Sequence, residues 1–82
     1  MADRDLFREG VFARDNHLCV VCKEPAQDAH HIMERRLFKD GGYYLDNGAS
    51  LCGKCHLEAE STKLSPGYIR ERAGITNVVL PD

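Results

Sequence analysis

The chain has 82 residues, 43% of them hydrophobic, and a formal net charge of −2 at pH 7, an acidic balance that argues against tight autonomous binding to nucleic acid. This length predicts one domain, residues 1–82, whose core is so small that it needs a metal or disulfides to stabilise it. The charged start of the chain and the lack of a long apolar run exclude a signal peptide and a membrane span, so we expect an intracellular, cytoplasmic protein without membrane contact.

The first quarter of the chain predicts a helix followed by a turn. Apolar residues at helical spacing and acidic residues in the first turn predict an amphipathic helix over residues 3–13 that covers the core. Residues 14–17 have the composition of a turn. Cys19 and Cys22 follow, and we expect them to form a tight turn that directs two thiolates at one ion.

The middle of the chain predicts a hairpin with a long loop. Residues 29–33 have the pattern of a short strand flanked by charge, and residues 49–51 that of the returning strand. Between them lies a highly charged segment, residues 34–40, which ends at Gly41-Gly42. The hairpin therefore brings the two ends of this long loop close together.

The last third predicts two helices. Residues 53–62 are good helix formers by propensity. Ser65 as an N-cap before proline, and Gly74 as a C-terminal cap, predict a second helix over residues 66–73. Residues 78–80 either dock on the domain as an extended segment or end it.

Four cysteines form two Cys-x-x-Cys pairs, namely Cys19 with Cys22 and Cys52 with Cys55. This spacing suits a structural zinc ion better than a disulfide framework, and four thiolates complete its tetrahedral shell. A redox role would need a thioredoxin-like alternating context, which the sequence lacks. A finger of two cysteines and two histidines fits poorly, because the histidines between the pairs are adjacent.

His30, His31 and His56 are left over once four cysteines hold the zinc. Each of them alone would more often be structural or exposed, but together they indicate a second metal site. Neighbouring residues of a strand point to opposite faces. One of the adjacent histidines could therefore hold an ion while the other reaches a water molecule.

In order, the chain reads Cys-x-x-Cys, His-His-Ile, Asn, and Leu-Cys-x-x-Cys-His. Over roughly residues 8–62 this order resembles the HNH endonuclease family in its zinc-stabilised form. The resemblance implies an α+β fold, a small treble-clef-like ββα-metal domain stapled by Zn²⁺ and flanked by helices. It implies hydrolysis of DNA phosphodiester bonds with a catalytic Mg²⁺, Mn²⁺ or similar dication, leaving 5′-phosphate and 3′-hydroxyl ends.

The resemblance also assigns roles to individual residues. His31 matches the general base, and Asn47 matches the residue that orients the base and stiffens the loop. His30 and His56 match ligands of the catalytic metal. Glu60 stands where nuclease colicins carry a further histidine, and it could either complete the metal shell or be a solvated helix residue.

Arg35, Arg36 and Lys54 are the candidates for phosphate contacts, although solvated charges are the usual meaning of such residues. Two other functions stay open: a non-catalytic zinc module that binds nucleic acid or protein, and an HNH enzyme that acts on RNA. A domain of this size reads little sequence on its own. We therefore expect nucleic acid, above all DNA, as the substrate, with specificity supplied by a protein partner or a homodimer.

Overall fold

The middle of the chain forms a short β-hairpin, which one helix precedes and two helices follow in the sequence. The structure is a computed structural model, and it describes residues 4–81. Its elements follow one another along the chain as α1 (Arg4–Arg14), β1 (Asp28–His31), β2 (Gly48–Leu51), α2 (Gly53–Glu60) and α3 (Pro66–Ala73). Single 3₁₀ turns at Arg35–Leu37 and Leu45–Asn47 lie in the loop between the strands. The α+β class expected from the sequence is confirmed.

The two strands pair antiparallel, with His30 opposite Ala49 and His31 opposite Gly48. The first strand ends at His31, two residues earlier than the pattern predicted. Asn47 explains the difference, since its backbone carbonyl accepts from Ile32 N–H at 2.9 Å and its side chain accepts from Met33 N–H at 2.9 Å. The chain therefore leaves the ladder just after the histidines, and all four residues of β2 are buried.

The first helix buries one apolar stripe against this sheet. Phe7 is 3% exposed and Val11 is fully buried, and both lie four residues apart on one face of α1. The predicted start at residue 3 lies outside the described residues. Within residues 4–81, no helix is long and apolar enough to cross a bilayer.

Arg14 ties the end of α1 to the hairpin. Its guanidinium donates to the carbonyls of Leu45 at 2.8 Å and Gly48 at 2.7 Å, and it pairs with Asp15 at 2.8 Å. The Asp15 side chain is only 4% exposed and also accepts from Ser50 N–H at 3.0 Å. Arg14 is thus a structural residue that binds backbone carbonyls of the hairpin and the buried carboxylate of Asp15.

Replacing Arg14 with alanine should lower the free energy of unfolding by about 2–4 kcal/mol, because it leaves the buried Asp15 carboxylate without its cation. Urea unfolding of the zinc-loaded protein measures this change. The matched control is Arg36→Ala, which removes an exposed pair with Glu34 at 2.6 Å and should cost about 0–1 kcal/mol. Equal losses in both variants would contradict a structural role for Arg14.

The third helix forms over the predicted residues, and its caps are those that the sequence indicated. Ser65 Oγ accepts from Tyr68 N–H at 3.1 Å, and Gly74 closes the helix in the left-handed conformation. Ile69 is 1% exposed and joins the main core, which also includes Val20, Leu51 and the buried cysteines. Ile75, just after this helix, is also buried in the core, whereas Val78 and Leu80 are 53% and 71% exposed.

Candidate metal centres and active site

The four cysteines, although they lie in two pairs far apart in the sequence, converge on one point. Their Sγ atoms all lie within 4.8 Å of one another, and the Sγ atoms of Cys22 and Cys52 are 3.5 Å apart. This separation is too long for a disulfide, and all four thiols are free. Zn–S bonds of about 2.3 Å in a tetrahedron place sulfur atoms about 3.8 Å apart, so the cluster fits a structural zinc ion.

The local backbone structure orients the Sγ atoms of both cysteine pairs. In the first, Cys19 N–H donates to Glu24 O at 2.7 Å and Lys23 N–H donates back to Cys19 O at 2.9 Å, with Lys23 in the left-handed region. In the second, Cys52 is the N-cap of α2, and its Sγ accepts from Cys55 N–H at 3.5 Å. A tight turn and a helix start thus direct the sulfur atoms towards a common centre.

The thiols of this cluster have unequal acidities. Burial would raise the pKa of Cys19, but hydrogen bonds from the Cys22 and Cys52 backbone outweigh it and lower the pKa to about 7. Burial raises the pKa of Cys55, and the neighbouring thiols raise it further. Four thiols in contact cannot all ionise by themselves, whereas a zinc ion takes all four as thiolates.

A second cluster consists of His30, His56 and Glu60, whose ligand atoms also lie within 4.8 Å of one another. The two imidazole rings are 5.2 Å apart, and His56 Nε2 lies 3.1 Å from Glu60 Oε1. His30 comes from β1, while His56 and Glu60 lie one turn apart on α2. The hairpin and the helix therefore bring together the three residues that the resemblance assigned to the catalytic metal.

Asp28 joins this cluster and received no role in the sequence analysis. Its Oδ2 lies 3.0 Å from His56 Nδ1, on the side of the ring opposite Glu60. A neutral imidazole has one N–H and can donate to only one of these carboxylates. If His56 donates to Asp28, the lone pair of Nε2 faces the Glu60 carboxylate and the two repel each other. A cation near Nε2 and Glu60 would offset this repulsion, so this donor set fits a dication.

The alternation of the strand offered a signal for Asp28. It stands two residues before His30, and residues two apart in a strand share a face. Asp28→Asn should weaken dication affinity about 10- to 100-fold, the usual effect of removing the carboxylate that orients a ligating histidine. Calorimetric titration of zinc-loaded protein with Mn²⁺ checks this. Unchanged affinity would show that Asp28 does not orient His56.

Burial sets the protonation state of His30. Desolvation is the largest cause that lowers its pKa, the charge of His56 lowers it further, and the result is about 4. A ligating imidazole must be neutral. At pH 7 His30 is therefore already in the form that a metal needs.

His31 lies on the other face of the strand and faces aromatic rings. Its pKa is lowered by burial first and by the positive charge of Arg35 second, while a backbone hydrogen bond at Gly41 raises it. Its Nε2 is buried and has no hydrogen-bond partner within residues 4–81. The side chain is thus neutral at pH 7 and separate from the metal-ligand cluster.

Asn47 is 1% exposed, and its amide binds the backbone on both sides of the loop. Nδ2 donates to Met33 O at 3.1 Å and to Gly42 O at 3.2 Å, and Oδ1 accepts from Met33 N–H. A direct hydrogen bond between the Asn47 amide and the His31 ring, one way in which Asn47 could orient the base, is not among these contacts. Asn47 instead holds the segments on either side of the loop that follows His31.

His31 and the His30–His56–Glu60 cluster open onto one cleft of about 850 Å³. Four arginines also line this cleft, namely Arg4, Arg8, Arg35 and Arg36. Arg36 is paired with Glu34, whereas the Arg35 guanidinium lies 5.6 Å from the centre of the Tyr43 ring. Lys54 is exposed at the start of α2 and is not among the residues that line the cleft, and its contact with phosphate stays a prediction. Three carboxylates, those of Asp28, Glu34 and Glu60, also line the cleft, so its formal charge is +1 with neutral histidines, against −2 for the chain.

Comparison with known families agrees with this geometry. The family model for the HNH endonuclease matches residues 19–62, which is more than half of the chain. Comparisons with curated proteins and with solved structures gave no match. The matched segment contains both cysteine pairs, the adjacent histidines, Asn47 and His56. The chain belongs to the HNH endonuclease family.

Proposed function

We propose that this protein is a metal-dependent endonuclease that hydrolyses DNA phosphodiester bonds and leaves 5′-phosphate and 3′-hydroxyl ends. One observation carries the proposal: a cluster of metal-ligand residues and a separate, neutral histidine open onto the same cleft. A structural zinc module would need neither group, because the four cysteines already complete the zinc shell.

In this proposal His30, His56 and Glu60 hold Mg²⁺, Mn²⁺ or a similar dication. When bound, the dication stabilises negative charge on the phosphate and on the departing oxygen. Asp28 accepts from His56 Nδ1 and so leaves Nε2 free for the metal. Glu60 enters the ligand set because α2 places it one turn beyond His56, where its carboxylate meets the ring.

His31 acts as the general base. The ring nitrogen of His31 that does not bind the Gly41 backbone takes a proton from a water in the cleft. The deprotonated water attacks the phosphorus atom and the bond to the 3′ oxygen breaks. That oxygen takes a proton from solvent water, and His31 returns its proton to solvent. Asn47 keeps the segments that flank the base in place through its contacts with Met33 and Gly42.

Arg35 is the favoured phosphate contact, since it lines the cleft together with His31 and is not paired with a carboxylate among residues 4–81. Arg4, Arg8 and Arg36 extend the positive lining of the cleft. This local charge supports nucleic acid as the substrate despite the net charge of −2. A protein partner or a homodimer would then add the sequence specificity that so small a surface lacks.

The deciding assay incubates zinc-loaded protein with supercoiled plasmid, single-stranded DNA and RNA, each with and without Mg²⁺ or Mn²⁺. We expect dication-dependent cleavage of DNA. Cleavage of RNA alone would identify the RNA-directed alternative. Stable binding without cleavage of any substrate would identify a non-catalytic zinc module.

The ends of the products test the direction of the attack. Departure of the 3′ oxygen predicts that DNA ligase reseals the nicked plasmid without prior end repair. Gel analysis after ligation measures the recovery of closed circles. Products that need a 3′-phosphatase before ligation would contradict the proposed reaction.

A further inference from the structure

Two aromatic side chains enclose the ring of His31. The Phe7 ring stacks on the imidazole, with centroids 4.5 Å apart and planes 23° from parallel. The Tyr43 ring meets it edge-on, at 5.3 Å and 70°, and also meets Phe7 at 5.7 Å. We propose that Phe7 and Tyr43 form an aromatic clamp that positions His31 for proton transfer and holds Arg35 beside it, an inference that rests on the proposed nuclease function.

Besides one backbone hydrogen bond at Gly41, contacts with these two rings restrain the rotation of the imidazole. Rotation about the last side-chain bond of histidine is soft, so contacts with neighbours decide the ring angle. His31 Nε2 has no hydrogen-bond partner within the described residues. The side chain of Asn47 makes its hydrogen bonds to backbone groups. A stacked ring on one face and an edge-on ring restrict the imidazole to a narrow range of angles.

The backbone provides room for both rings at two glycines. Gly48 lies opposite His31 in the sheet, and a Cβ there would approach the Phe7 ring to 2.6 Å. Gly41 has a φ of +87°, and a Cβ there would approach the Tyr43 ring to 2.6 Å. Any larger residue at either position would push a clamp ring away from His31.

Tyr43 also contacts the proposed phosphate ligand. The Arg35 guanidinium lies 5.6 Å from the Tyr43 ring centre, within the range of a cation–π interaction. Its neighbour Arg36 is held by Glu34 instead. One half-buried ring thus contacts both the base and the cation that would bind the scissile phosphate.

The metal-ligand cluster lies on the other face of β1, because adjacent strand residues point to opposite sides. Loosening the clamp should therefore change kcat without changing zinc content or dication affinity. This separates a positioning role from a general loss of structure, which would affect all of these quantities.

The experiment compares Phe7→Leu, Tyr43→Leu and Tyr43→Phe with the parent, all zinc-loaded. Both leucine variants should lower kcat about 10- to 100-fold, since misplacement of a reacting group by about 1 Å can have such an effect. Tyr43→Leu should also raise KM for DNA, because Arg35 loses its support. Tyr43→Phe keeps the ring and should restore kcat close to that of the parent.

The matched control is Phe38→Leu, which alters another buried phenylalanine whose ring is 6.2 Å from Tyr44 rather than beside His31. It should leave kcat near the parent value. Proton NMR adds a readout independent of activity: stacking on Phe7 should shift the His31 ring protons upfield, and Phe7→Leu should remove that shift. If Phe7→Leu does not fold, Tyr43→Leu at its half-buried position carries the kinetic test.

Parental kcat in both leucine variants, with an active parent, would overturn the clamp and leave the nuclease function intact. Absence of the upfield shift in the parent would overturn the clamp geometry whatever the activity. A parent that cleaves no nucleic acid with any dication would overturn the proposed function and the positioning role together.

Discussion

A Cys52→Ser protein should be unfolded and free of zinc under conditions in which the parent binds about one zinc ion per chain. Structural zinc sites of this type contribute about 10–16 kcal/mol of apparent binding free energy, comparable with or above the entire stability of a small domain. The core that remains is small, and three of the four cysteines belong to it. Loss of the metal therefore removes the crosslink between the two cysteine pairs. The three cysteines of the core then lack the ion that holds them together.

Serine is an informative replacement because it is a favourable N-cap residue. Cys52 caps α2 through its sulfur, and a hydroxyl at the same place can still accept from Cys55 N–H. Loss of folding would then follow from the missing thiolate and not from a missing cap. Circular dichroism with metal analysis by mass spectrometry measures both properties in one preparation.

Two controls complete this test. A strong chelator should unfold the parent, and zinc but not Mg²⁺ should refold it, since thiolates favour zinc over hard cations. Arg36→Ala alters an exposed residue and should keep its zinc. A Cys52→Ser protein that is well folded without zinc would contradict the stapled domain.

The second large effect is expected for His31→Ala, which should reduce the cleavage rate about 10²- to 10⁴-fold, the usual contribution of a general base. The variant keeps the four cysteines and the His30–His56–Glu60 cluster. Zinc content and Mn²⁺ affinity should therefore stay at the parent values. Single-turnover cleavage of plasmid at saturating Mn²⁺ measures the rate of the chemical step.

Neighbouring residues should respond differently. His30→Ala and His56→Ala should weaken dication affinity, so a higher Mn²⁺ concentration should partly restore their activity. His17→Ala serves as the matched control, because His17 is an exposed loop residue that is not part of the cleft lining. If all four variants cleaved like the parent, neither the base nor the metal site would be where we place it.

The pH dependence follows from the same residue. Only the neutral ring of His31 can accept a proton, so the rate should rise with pH as this group loses its proton. Burial and Arg35 lower the pKa of His31 from the model-compound value of 6.5, so the half-maximal rate should lie below pH 6.5. Rate measurements at saturating dication between pH 5 and 8 check this, and a rise only above pH 7 would contradict it.

The sequence by itself determined the features that depend on residues close together in the chain. The two Cys-x-x-Cys pairs specified the zinc ligands, because a tight turn or a helix start can direct two thiolates at one ion at that spacing. Ser65 and Gly74 specified the ends of α3, because caps satisfy backbone groups within one turn. The order of the motifs also sufficed for the family.

The tertiary structure alone decided the contacts that depend on the strand register and on where α1 crosses the sheet. Asp28 meets His56 across 28 positions of the chain, and Phe7 reaches His31 from a helix that precedes the zinc turn. The side chain of Asn47 binds backbone groups because the hairpin ends next to Met33. Lys54 lies outside the cleft because α2 presents its His56–Glu60 face there instead. No local spacing encodes such contacts, since each requires two distant segments to be packed together before the pair exists.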